Sequence, residues 1–239
     1  MYNDQQFSKN RPNVGVTVVP FIYEDGKIKA LVYRRPDDAE VFPGKYAFPN
    51  CFYDREKVKT AEEAAASALL SKTSVKLPHI EQLHTFSGDY IDPDRINTVN
   101  ITYYAILRVS EVDHVGLDEF KKEWLPIEYI MALSDMFAFN HFEVFEMAWN
   151  RIRAKADYTP IAARFIDPQF TIGEFQKLTE LLLGFELNNA RFRDRIESSA
   201  LLVPCEGVLK KGNTRHAQVY RLNPQHEGIF FPRSMTKGK

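Results

Sequence analysis

β-Branched and aromatic residues run almost without a break from Val14 to Tyr23, the pattern of a β-strand. Glu24-Asp25-Gly26-Lys27 follows, and Asp-Gly is a strong hairpin signal because both residues tolerate positive φ. A return strand is predicted over Ile28–Arg35 and a short apolar piece over residues 45–49. The period then changes. Residues 60–73 predict a helix, with Thr60 as N-cap, Glu63 closing a capping box and a run of alanines behind them. Strands are predicted over 79–88 and 98–108, around the turn-rich DYIDPDRIN, and a further short strand and turn over 117–130. The first part therefore reads as a mixed α+β sandwich.

From Asn140 the apolar positions Phe142, Phe145, Trp149 and Ile152 fall at helical spacing, in a helix that ends before Pro160. A second helix is predicted from Phe170 to Gly184, capped by Thr171 and stopped by the glycine. A third covers residues 188–199. Two β-like stretches, 201–208 and 216–222, are joined by the basic segment LKKGNTR. Helix, turn, helix and basic β-ribbon is the order of a winged helix-turn-helix.

Composition and charge narrow the function. The chain has 239 residues, enough for two domains. It has no apolar run long enough for a transmembrane helix, and its polar start lacks the apolar stretch of a secretory signal. Cys51 and Cys205 are far apart and show no metal-ligand spacing, so free thiols in a cytoplasmic protein are expected. Residues 1–154 carry 18 Lys+Arg against 23 Asp+Glu, whereas residues after Asn188 carry 10 against 4. A basic C-terminal quarter behind a mildly acidic first part points to an anionic partner for that end.

On the helix 188–199, Phe192 and Ile196 share one face, while Asn188, Arg191 and Arg195 fall at i, i+3 and i+7 on the other. Asn and Arg pair bidentately with adenine and guanine edges in the major groove, so these three are candidate base-readers. Asn189 and Arg193 flank them. In the predicted wing, Lys210, Lys211 and Arg215 are candidate phosphate contacts. The competing reading of this helix is an ordinary solvated amphipathic one.

The loop and helix from Phe48 to Val75, with Arg34, Gly44-Lys45 and Tyr46-Ala47-Phe48-Pro49 before them, resemble the Nudix signature. In Nudix enzymes that loop–helix carries glutamates that hold a divalent cation against a diphosphate. Here Pro49-Asn50-Cys51-Phe52 stands for Pro-Gly-Gly-Phe. With two extra loop residues, Lys59 takes the place of the first Glu, Ser67-Ala68 of Arg-Glu, Ser71-Lys72 of Glu-Glu and Ser74 of the final Gly. Leu69 and Val75 keep their apolar character. The remaining acids, Asp54, Glu56, Glu62 and Glu63, lie on the loop or the first turn.

Further stretches resemble the Nudix-related transcriptional regulators in order along the chain: residues 82–95, Phe137-Ala138-Phe139-Asn140-His141, residues 158–184, Asn189–Ile196 and Thr214-Arg215-His216-Ala217. The resemblance implies an α+β fold, a Nudix-like α/β/α sandwich with a mixed sheet followed by a winged helix-turn-helix domain. It divides the chain into an effector-sensing domain over 1–135, a bridging helix over 136–157 and a DNA-binding domain over 158–239. It adds Thr214 and His216 to the DNA-binding candidates and assigns Arg34, Lys45, Asp92 and Arg95 to effector binding. The partners it implies are a palindromic double-stranded DNA operator, a second copy of the chain in a homodimer, and a small effector: ADP-ribose, a nucleotide or a sugar derivative. No catalytic residue, metal ligand, cofactor or membrane association is expected. The other readings are a metal-dependent Nudix hydrolase of a nucleoside diphosphate derivative and a protein-binding scaffold.

Overall fold

The computed structural model describes residues 11–73, 79–88, 97–112, 121–211 and 216–226. The chain divides into two compact units, residues 1–148 and 149–239.

The first unit is built on a mixed sheet. Strands β1 (Asn13–Glu24) and β2 (Lys27–Arg34) form the hairpin that Asp25-Gly26 predicts, with φ of 51° and 76° at the turn. Their neighbours are β3 (Tyr46–Ala47) and β7 (Lys122–Pro126) on β2, and β4 (Asn50–Phe52) on β1. The other side of β1 pairs with β6 (Thr98–Ile106) in parallel, and β6 pairs with β5 (His79–Ser87) in antiparallel fashion. Only β1·β6 is parallel among these ladders, because the chain crosses back through helix α1 (Ala61–Thr73) before β6.

Both faces of β1 are covered, which explains its unbroken apolar run. On one face Val16, Val18 and Ile22 pack with Ala64, Ala65 and Leu69 of α1. The small alanines let that helix sit close to the sheet. On the other face the Phe21 ring lies 6.2 Å from Phe145, and Phe48 stacks on Phe145 at 5.9 Å. Phe145 belongs to α3 (His141–Tyr158), which begins in the first unit and runs on into the second.

The segment predicted as a strand and turn over 117–130 differs in its second half. Pro126 ends β7, and residues Ile127–Met131 form a short helix, α2. Ile127 and Ile130 are both buried, and a helical turn directs residues three apart to one side.

In the second unit, α4 (Ile172–Leu183) has the predicted ends. The Thr171 side chain accepts from the Glu174 N–H at 3.1 Å, Glu174 reaches back to the Thr171 N–H at 2.7 Å, and Gly184 closes the helix at φ 80°. Arg153 donates to the carbonyls of Leu182 at 3.1 Å and Leu183 at 3.4 Å, placing positive charge on the negative end of that helix. Helix α5 (Asn189–Ser198) packs Phe192 on Phe175 of α4, with ring centroids 5.5 Å apart. The ribbon of β8 (Leu202–Lys211) and β9 (His216–Leu222) completes a winged helix.

β8 is longer than the sequence suggests. Leu209, Lys210 and Lys211, read as connecting segment, pair with Gln218, Ala217 and His216. A register shift between Pro204 and Leu209, with Gly207 at φ 71°, absorbs the extra residues of the longer strand. No helix among the described residues is long and apolar enough to cross a membrane.

Candidate effector cleft and nucleic-acid interface

The Nudix-type loop–helix keeps its scaffold. The Thr60 hydroxyl accepts from the Glu63 N–H at 3.1 Å, and the Glu63 carboxylate accepts from the Lys59 N–H at 2.7 Å, one residue earlier than a standard capping box. Tyr53 donates its hydroxyl to the Lys59 carbonyl at 2.9 Å, tying the loop shut. Ala68 is buried and Ser67 exposed, and Ser71 donates to the Ala68 carbonyl at 2.8 Å. The side chain of Lys72, and all of Ser74, lie outside the described residues.

Cys51, in strand β4, pairs with Val16 and turns its thiol toward α1, with Sγ 3.7 Å from the Ala64 carbonyl oxygen. Burial raises its pKa. Asn50 and Phe52 alternate to the opposite side.

A cleft of about 280 Å³ opens in this unit. Its wall comes from β1 (Gly15–Thr17), β4, β6 (Thr98 and Asn100), Arg35, and the Phe139-Asn140-His141 lead-in to α3. Donors dominate it. The Thr17 hydroxyl donates to Asn100 Oδ1 at 3.1 Å and the Tyr33 hydroxyl to Asn50 Oδ1 at 2.8 Å. With those oxygens occupied, each asparagine presents its Nδ2 as a donor. His141 is buried, and its Nδ1 accepts from the Phe48 N–H at 3.0 Å, which leaves the proton on Nε2. Burial, assisted by the nearby Arg35 charge, holds its pKa down to about 3, so the ring is neutral. Phe52, 54% exposed, gives the cleft a flat apolar surface.

Arg35 supplies positive charge. It donates to the Val41 carbonyl through Nε at 3.1 Å and Nη2 at 2.9 Å, and its guanidinium lies 5.0 Å from the Phe139 ring centre. Phe42 and Phe139 contact edge to face at 4.9 Å, and both hold positive φ, 50° and 55°. Non-glycine residues in that region are costly, and such strain gathers at binding sites.

Of the effector candidates read from the sequence, Arg34 donates to the Gly44 carbonyl at 3.1 Å and Lys45 to the Asp135 carbonyl at 2.6 Å. Neither lines the cleft; the adjacent Arg35 does. Asp92 and Arg95 lie outside the described residues. The roles of Arg35, Asn50, Asn100 and Asn140 were not legible in the sequence. Sequence periodicity tells which residues share a face, but not which face meets the cleft.

In the winged helix, Phe192 and Ile196 are buried and Arg191 is exposed, as the helical pattern requires. Asn188, predicted to read bases, is the N-cap of α5: its Oδ1 accepts from the Arg191 N–H at 3.0 Å. Asn189 Oδ1 accepts from Gln176 Nε2 at 2.7 Å, in a polar knot with Glu180 that fixes the turn between α4 and α5. Arg195 is half-buried, and its pKa is lowered by desolvation against the opposing field of Asp157. It therefore turns partly from the solvent face assigned to it. Arg193 is exposed, 3.7 Å from Glu197.

In the ribbon, Lys210 Nζ lies 3.1 Å from Glu174 Oε1. Partial burial would raise the Glu174 pKa, but hydrogen bonds from Thr171 and Lys210 outweigh it and hold the carboxyl low. His216 is exposed. Thr214, Arg215 and the side chain of Lys211 lie outside the described residues.

The fold and these surfaces define a class: a Nudix-like domain followed by a winged helix-turn-helix. Residues 162–222 match the NrtR DNA-binding winged helix domain. The ADPR responsive transcriptional repressor NtrR of Acinetobacter baylyi is 27% identical over 226 residues, covering 94% of this chain and 87% of its own length. The crystal structure of Shewanella oneidensis NrtR complexed with a 27mer DNA is 28% identical, with a TM-score of 0.83, covering 93% of this chain and 99% of that one. The NUDIX domain of Shewanella oneidensis NrtR, complexed with ADP ribose, is 25% identical with a TM-score of 0.51, over 63% of this chain and 94% of that one. The chain is NrtR-like, with the architecture of the Nudix-related transcriptional regulators.

Proposed function

We propose that this protein is a ligand-responsive, DNA-binding transcriptional regulator. The observation that carries the reading is helix α5, which turns Phe192 and Ile196 inward and Arg191 and Arg193 outward within a winged helix of NrtR type. Similar proteins bind DNA and ADP-ribose through the same two domains, which makes an operator and ADP-ribose the partners to test first. The effector enters the cleft of the first domain, where amide donors, neutral His141 and Arg35 receive an acceptor-rich molecule. Residues 1–135 act as the sensing domain, 136–157 as the bridge, whose residues 139–141 complete the wall of the cleft, and 158–239 as the DNA-binding domain. Effector binding shifts the population of DNA-competent conformations. The protein works as a cytoplasmic homodimer on a palindromic site, since a two-fold pair of winged helices matches two half-sites.

The Acinetobacter baylyi relative is an ADPR responsive transcriptional repressor. We extend this to the absence of hydrolysis here: Ser67, Ala68 and Ser71 stand where Nudix enzymes carry metal-binding or neighbouring charged residues. A mobility-shift assay on the chain's own upstream region, with and without ADP-ribose, tests the regulator. Absence of any shift at low salt overturns it. Incubation with ADP-ribose and Mg²⁺ tests the second statement, and release of AMP would overturn that one.

A further inference from the structure

Asn140 lines the cleft at 7% exposure, and neither its Oδ1 nor its Nδ2 has a hydrogen-bond partner among the described residues. Its position makes this unusual. It precedes His141, the first residue of α3, and its carbonyl accepts from the Val144 N–H at 3.1 Å, so it is the N-cap of that helix. Asparagine is favoured at N-caps because its side chain satisfies an exposed backbone N–H. Here the amide forgoes that bond and stays buried, a net cost to folding. The preceding Phe139, held at φ 55°, adds backbone strain at the same point. Two unfavourable features beside one cleft indicate a side chain kept in place for a ligand.

The chemistry of that ligand follows from the amide. Nδ2 donates and Oδ1 accepts, side by side. A phosphate or carboxylate supplies acceptors and would leave Oδ1 unsatisfied. Two neighbouring hydroxyls on a sugar ring satisfy both atoms, one accepting and the other donating. The donors of Asn50 and Asn100 suit the remaining oxygens of such a ring, and Phe52 offers an apolar surface for it.

We propose that Asn140 is the specificity-determining residue of the effector cleft and reads a vicinal diol of a sugar ring, Nδ2 donating to one hydroxyl and Oδ1 accepting from its neighbour. The inference rests on the cleft being the effector site. The diol belongs either to the ribose of ADP-ribose or to a free sugar.

Titration calorimetry on the full chain distinguishes these sources, with ADP-ribose, D-ribose and adenine as probes and wild type, Asn140→Ala and Asn140→Leu as proteins. The expected result is that ADP-ribose or D-ribose binds wild type and that Asn140→Ala weakens it at least tenfold. Without ligand, Asn140→Leu should raise the melting temperature, because it removes buried polar atoms that lack partners. A lower melting temperature would show that the amide supports the fold and would overturn the proposal. Equal affinity in wild type and Asn140→Ala overturns the diol contact while leaving the cleft as effector site. Adenine binding that depends on Asn140 assigns the amide to a base edge and also overturns it. If neither ADP-ribose nor D-ribose binds wild type, the sugar effector itself falls, whatever the mobility shift shows for DNA.

Discussion

The backbone N–H of Phe48 donates to His141 Nδ1 across 3.0 Å, joining the loop before β4 to the first turn of α3. The bond requires a neutral ring, since protonation would turn the acceptor into a donor facing another N–H. His141 is buried, with a pKa near 3 set first by burial and then by the Arg35 charge. In the unfolded chain it returns to about 6.5. Between these values the unfolded state binds the proton more readily, so stability is complete above about pH 6.5 and declines as pH falls toward 3. Urea unfolding should show a loss of about 2 kcal/mol between pH 7 and pH 5 from this group. His141→Phe should remove that slope, at a cost of about 1–3 kcal/mol at pH 8 for the stranded Phe48 N–H.

Arg191 and Arg195 share a helical face but not an environment. Arg191 is exposed, whereas Arg195 is half-buried within reach of the Asp157 charge. Arg191→Ala should weaken binding to the protein's own operator by about 1–3 kcal/mol and relax discrimination between operator variants. Arg195→Ala should instead lower the melting temperature, with a smaller change in sequence discrimination. Fluorescence anisotropy on matched and mutated operators, beside thermal melts, separates the two.

Lys210 must leave Glu174 to meet a phosphate fully, because the two are 3.1 Å apart. Lys210→Ala should therefore weaken all DNA sequences alike and reduce the slope of log affinity against log salt by about 1. Glu174→Gln should tighten non-specific binding at low salt while weakening the capping box of α4.

Gly184 ends α4 in the left-handed region at φ 80°. A Cβ there would lie 3.6 Å from Arg153 Nη2, an ordinary contact, so space is not the constraint. Gly184→Ala should lower stability by about 1–2 kcal/mol through its backbone alone, and a chemical denaturation curve measures it.

The sequence by itself determined what depends on neighbours along the chain. Alternation and apolar runs placed β1, β2, β5 and β6. The Asp25-Gly26 turn, the Thr60 and Thr171 caps and the Gly184 stop followed from side chains that bond or bend their own backbone. The inward face of α5 followed from helical spacing. The short helix at Ile127–Met131 was less legible, because one turn of helix leaves almost no period to read. Only the tertiary structure decided which residues share the cleft. β1 lies beside β4 and β6, and the segment 139–141 arrives from far along the chain to meet them. The same holds for α5, where long-range neighbours rather than spacing committed Asn189 to Gln176 and drew Arg195 toward Asp157. The physical reason is range: propensity and capping act over three or four residues, whereas a site is made of groups that only folding brings within hydrogen-bond distance.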